Sequence, residues 1–137
     1  MKRQVVFAAV LFLLGSLALP AYGQGPSIRV NVPFSFNLGD KTYPAGEYAF
    51  SAMKENLVLL DKDSSKRLGM FLANHLAGPD STSQVRFQCY DKLCFLSQVW
   101  IPGIDGGFQP LRSRSEIEVA KRTTGIYVAL LGTSPQR

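Results

Sequence analysis

Strict alternation near the start of the chain most constrains its fold. Ile28, Val30, Val32, Phe34, Phe36 and Leu38 interleave with Arg29, Asn31, Pro33, Ser35 and Asn37. A period of two turns one face of a strand toward a core and the other toward water. Pro33 has no N–H to give a ladder, so this strand lies at an edge or bends there. Turn signals follow at Gly39-Asp40 and Pro44-Ala45-Gly46, and Tyr48 and Phe50 resume the alternation. The stretch NLVLLDKDSSKRLGMFLA then sets two short apolar runs around a polar turn, which reads as a hairpin. Residues 74 to 82, NHLAGPDST, read as a loop.

The chain has two cysteines, Cys89 and Cys94, within FQCYDKLCFLSQVW. The flanking segments SQVRFQCY and LCFLSQVWI both read as strands joined across Asp91-Lys92. If Tyr90 faces Leu93 across that turn, Cys89 faces Cys94 in a non-hydrogen-bonded pair, close enough for a disulfide. A redox motif would show Cys-x-x-Cys, and a structural zinc site needs four ligands, whereas the chain offers these two thiols and the single histidine His75. The pair reads as a hairpin staple.

The second strand of this hairpin is apolar on both sides of its pleat, which predicts a central strand covered twice. Unbroken alternation would put Cys94, Leu96 and Trp100 on one face and Phe95, Val99 and Ile101 on the other. One segment reads as a helix, from Ser115 to Arg122. Ser115 would cap it, Glu118 follows three residues later, and Arg114, Glu118 and Arg122 form an i, i+4 ladder. Ile117, Val119 and Ala120 would give this helix an apolar side with which to cover the central strand. Gly125 ends it, and IYVALL returns as a last strand. Roughly eight strands and one short helix predict a mostly β domain, an antiparallel β-sandwich or small barrel with one short C-terminal helix.

The segment MKRQVVFAAVLFLLGSLALPAYGQ places Lys2 and Arg3 before an apolar run from Val5 to Leu19 and small residues at Ala21 and Gly23. It reads as a signal peptide, residues 1–23, leaving one β-rich domain at 24–137. Later apolar runs are too short for a membrane helix, so no stable membrane insertion is expected after processing. Export predicts a periplasmic or secreted protein and an oxidising setting for the cystine. The processed chain carries 13 cations against 10 acids, a net charge of +3 scattered along the sequence. A nucleic-acid partner would want a concentrated basic face, so none is expected.

The residues VNVPFSFNLGDKTYPAGEY, followed by FLSQVWIPG and SRSEIEVAK, resemble a family of small exported bacterial β-proteins of unknown function. Its members share a PF-x-F … PAG-x-Y opening and an FLSQVW-x-PG … K/R-S-x-x-E close. The resemblance spans most of the processed chain and implies export and a β fold. It brings no catalytic residue, and IYVALL departs from the common ending. The PAGEY segment is also similar to a turn in prealbumin-like and immunoglobulin-like sandwiches.

Residues that could carry chemistry are few. His75 stands in the expected loop with Asp80, Ser81 and Ser83 nearby, and reads as a surface histidine rather than a catalytic base. Asp61-Lys62-Asp63 begins like a calcium loop but has Lys66 in place of the sixth-position glycine and Leu72 in place of the twelfth-position glutamate. Glu116 and Glu118 stand two apart on the expected helix, so they point to different faces, unlike a glycosidase pair. No catalytic residue, cofactor or metal site is expected. Trp100, Tyr90 and Phe108 form the one arguable ligand platform, with core packing the expected role of Trp100. The chain therefore reads as an exported non-catalytic binding or envelope-interaction module with an unidentified envelope or extracellular partner. The alternatives are a small envelope-acting hydrolase using His75 with an acid such as Asp80, and a structural subunit assembling through an exposed strand edge.

Overall fold

The computed structural model describes residues 26–78, 83–104 and 106–133. The expected leader, residues 1–23, and Asp80 and Ser81 lie outside the described residues. Along the chain run β1 (Ser27–Val32), β2 (Phe36–Leu38), β3 (Lys41–Tyr43), β4 (Gly46–Met53), β5 (Asn56–Leu60), β6 (Arg67–Leu76), β7 (Gln84–Tyr90), β8 (Leu93–Trp100), β9 (Gly107–Pro110), a helix α1 (Arg114–Ala120) and β10 (Ile126–Leu131). The mostly β expectation holds. The described strands number ten rather than eight, because the first alternating run splits in two and the turns around Asp40 and Gly107 contribute strands of their own.

The split follows from Pro33. β1 pairs antiparallel with β4, whereas β2 pairs antiparallel with β3 and parallel with β8 through Asn37 and Phe95. The chain thus bends at Pro33-Phe34-Ser35 and changes neighbours while keeping its phase: Ile28, Val30, Val32, Phe36 and Leu38 are all buried. β6 makes a second change of partner, pairing β5 through Leu72 and β9 from Ala73 onward. These changes fold the sheet into a sandwich-like body with β1, β4 and β5 on one side and β9, β8, β7 and β10 on the other. The sheet is not closed. β10 reaches β1 only where Arg29 and Thr133 exchange backbone hydrogen bonds of 2.8 and 2.9 Å.

Ile28, Phe50, Leu57 and Leu59 meet Val85, Phe87, Val99 and Ile101 in the core, all at 0% exposure. Phe36 fills one end with its ring edge-on to Tyr48 and to Phe87 and stacked on Tyr43. The PAGEY turn gains a structural reason here. Tyr48 lies across Gly46 and donates its hydroxyl proton to the Pro44 carbonyl at 2.6 Å, which ties the start of β4 to the preceding turn.

β8 is central, as expected, but its faces are not those of an unbroken pleat. Opposite β7, Phe87 pairs with Leu96 and Arg86 with Gln98, so Ser97 is an extra residue on β8. This bulge shifts the phase by one. Val99 and Ile101 therefore join Cys94 and Leu96 in the core, and Trp100 turns to the outer face with Gln98. The core role expected of Trp100 is corrected accordingly.

The helix also departs from expectation. Ser113 rather than Ser115 is its cap, its Oγ accepting the Glu116 backbone N–H at 3.2 Å, and Glu116 rather than Glu118 stands third after the cap. That register leaves Ile117 42% exposed and buries Glu116 at 6%. Glu116 shares the side that faces the body with the half-buried Val119 and Ala120, while Ile117 points outward.

Candidate functional site

The cystine sits as expected. Cys89 and Cys94 are directly opposed across β7 and β8, are bonded, and have Cα atoms 4.0 Å apart. The two-residue turn beside them holds Asp91 at φ 59°, a conformation aspartate tolerates better than most residues. The bond places the folded domain in a non-reducing compartment.

The three aromatic residues of the expected platform do not converge. Phe108 is buried in the core opposite Val99. Tyr90 is also buried, lying beneath the segment that follows α1, with its ring against Gly125 and edge-on to Phe95 at 6.0 Å. Burial raises the Tyr90 hydroxyl pKa, and the nearby Glu116 carboxylate pushes in the same direction. Trp100 alone remains half-buried and on the outer face, near the opposite end of the hairpin from Tyr90.

Trp100 is held in place from several directions. A Cβ built on Gly107 would stand 2.7 Å from Cδ2 and 2.9 Å from both Cε2 and Cε3 of Trp100. Nearly equal distances to atoms around the ring fusion mean that the indole lies flat across the glycine backbone. Its opposite face points away from the sheet. In the ring plane, Nε1–H donates to Gln98 Oε1 at 3.0 Å. Arg86 Nη1 donates to the same oxygen at 3.4 Å, and Arg86 Nε donates to Gln84 Oε1 at 3.5 Å. Gln84 is the cross-strand neighbour of Trp100, and Arg86 that of Gln98. The result is a tryptophan, two glutamines and an arginine in one hydrogen-bonded patch on β7 and β8.

β10 extends this face. Leu131, Ala129 and Tyr127 are paired with Gln84, Arg86 and Gln88 and so share their side of the sheet, with Tyr127 63% and Leu131 75% exposed. No carboxylate pairs with Arg86 among the described residues. With both glutamine carbonyl oxygens engaged, their amide nitrogens are the groups turned to other partners. A flat ring beside amide and guanidinium donors can stack on one surface of a ligand while hydrogen-bonding its edge. Gln84, Arg86 and Gln88 were legible as the polar positions of QVRFQCY. Their meeting with Gln98 and Trp100 depends on the bulge, which no composition signal marks.

His75 lies in β6 rather than in a loop. It is exposed, edge-on to Phe108 with ring centroids 5.4 Å apart, and lies next to Gly106. It borders an open depression of ≈ 550 Å³ with Lys54, Glu55, Ala73, Asn74 and Phe108. The depression brings an imidazole near a carboxylate-bearing turn, but no serine, threonine or cysteine lines it among the described residues. The Asp61 turn is a hairpin connection: its carboxylate accepts the backbone N–H groups of Ser65 and Lys66 at 3.1 and 3.3 Å. No group of three or more His, Cys, Asp or Glu among the described residues is arranged to hold a metal ion. No helix among them is long and apolar enough to cross a membrane. Compared with known proteins, the chain matches no family model, no curated protein and no solved structure.

Proposed function

We propose that the processed chain is an exported, non-catalytic binding domain of the cell envelope, periplasmic or secreted, which holds its ligand on the outer face of β8, β7 and β10. The placement of Trp100 carries this reading. A chain that needed the ring only for its core would not insert Ser97, turn the tryptophan outward and hold it flat on Gly107. The resemblance of the PF-x-F … PAG-x-Y and FLSQVW-x-PG segments to small exported β-proteins agrees with the compartment, as does the cystine. Co-sedimentation with isolated cell-wall and membrane fractions tests the proposal. The parent protein should pellet with at least one fraction and Trp100→Ala should stay in the supernatant. Absence of the parent from every pellet would end the reading.

A second reading, assembly through a strand edge, is favoured by β10. Its sequence IYVALL carries no charge, glycine or proline, and Ile126 and Leu131 are 65% and 75% exposed. Gly132 donates toward β7 at Ser83, whereas Thr133 turns its N–H and C=O toward β1. By alternation, Tyr127 and Ala129 present their backbone groups to the free edge, a template for a further strand. Ala129→Pro would remove one such donor. Size measurement across a concentration series tests this: growth for the parent and none for the variant would favour assembly, and a constant monomer for both would dismiss it.

A further inference from the structure

We infer that the ligand of the Trp100 face is an extended polysaccharide, an inference that rests on the binding-domain reading above. Four observations narrow the chemistry. The face runs along the strands from Gln88, where the segment after α1 borders it, to Trp100 at the other end, so it suits a chain laid along it. The indole offers one flat apolar surface, suited to the C–H face of a sugar ring. Beside it stand two amides and a guanidinium, planar groups whose fixed donors match the hydroxyls at a sugar's edge, and Gln98 and Arg86 are already oriented by hydrogen bonds. Arg86 is the cation beside Trp100, and Lys121 and Arg122 border the Gln88 end, a scattered positive charge that accepts a neutral or acidic glycan.

The face also has length. Tyr127 lies two strands across from Phe95, while Trp100 lies at the far end of β8, so the two rings stand roughly 17 Å apart by strand spacing and rise. That separation spans several sugar units, with Gln84, Arg86, Gln88 and Gln98 along the way. Trp100 would supply the main stacking contact and Tyr127 a second one further along the chain. The four polar residues would set orientation.

Affinity electrophoresis through gels containing laminarin, xylan, a soluble peptidoglycan digest or hyaluronan tests the inference. The parent protein should be retarded by at least one of these polymers, with an emission change of the single tryptophan on titration with the same polymer. Trp100→Ala should weaken retardation about tenfold or more, Gln98→Ala several-fold, and Ser35→Ala, on a different part of the surface, should match the parent. Far-UV circular dichroism of each variant separates lost binding from lost folding, and Trp100→Phe, which keeps an aromatic face, should restore part of the affinity. Retardation by hyaluronan alone, lost in Arg86→Gln and kept in Trp100→Ala, would replace stacking by simple charge attraction and overturn the inference. Co-sedimentation with envelope fractions but no retardation in any of the gels would overturn the polysaccharide ligand while leaving the binding domain standing. Failure of both assays would overturn both.

Discussion

Trp100 lies flat on the backbone of Gly107, so close that a Cβ at Gly107 would overlap the ring at 2.7 Å. β9 therefore needs a glycine there for steric reasons, and the indole needs it to lie parallel to the sheet. Gly107→Ala should lever the ring outward and break its 3.0 Å hydrogen bond to Gln98. The expected cost is about 1 to 3 kcal/mol, typical of forcing an extra carbon into a packed contact. Tryptophan emission should shift to longer wavelength, and an unchanged spectrum would show that the ring is not seated as described.

Because Trp100 is half-buried on the outer face and absent from the core cluster, its removal leaves no interior cavity. Trp100→Ala should cost about 1 to 2 kcal/mol, well below the cost of deleting a core aromatic. Phe87→Ala, a true core truncation at 0% exposure, should cost about 3 to 5 kcal/mol. Chemical denaturation of the two variants side by side checks the contrast. Equal losses would return Trp100 to a scaffold role.

Cys89 and Cys94 close a loop only five residues apart in sequence, so their bond removes little freedom from the unfolded chain. The hairpin is also held by the full β7–β8 ladder on both sides of the bulge. Reduction, or the double substitution of both cysteines by alanine, should therefore lower stability by about 2 kcal/mol while preserving the β spectrum. Collapse of the fold on reduction would show that the ladder depends on the staple.

Much of the fold was legible in the sequence because period two survives both the Pro33 bend and the change of partners around it. Ile28 and Phe36 face the same core from different pairings. The cystine was equally legible, since opposed positions across a two-residue turn follow from counting. The site was not, and Ser97 explains why. One inserted residue leaves hydrophobic composition unchanged yet moves Val99 inward and Trp100 outward, and no propensity favours Ser97 over its neighbours as the bulge. The short helix was legible too, but its register was not, and its cap stands two residues earlier than expected. SRSEIE contains serines at 113 and 115, each with a glutamate three residues on, and the chain uses the first, Ser113 Oγ accepting the Glu116 N–H.

That choice has a consequence for pH. Glu116 is 6% exposed, its carboxylate stands 3.8 Å from Arg112 Nε, and burial raises its pKa while Arg112 pulls it down by less. A carboxyl whose folded pKa exceeds its unfolded value of about 4.3 binds its proton more tightly in the native state. Its contribution to stability is thus fully present below the unfolded pKa and is lost as pH rises through the folded one, where a charged carboxylate must stay buried. Glu116→Gln removes that titration and keeps the shape. The variant should match the parent near pH 4 and melt higher than it at pH 7, with the gap opening between the two pKa values. Arg112→Ala tests the opposing interaction: without its guanidinium the parent's loss of stability toward neutral pH should steepen. Melting curves taken across that range decide the matter, and a Glu116→Gln variant that is less stable than the parent at pH 7 would show that the ion pair with Arg112 outweighs the cost of burial.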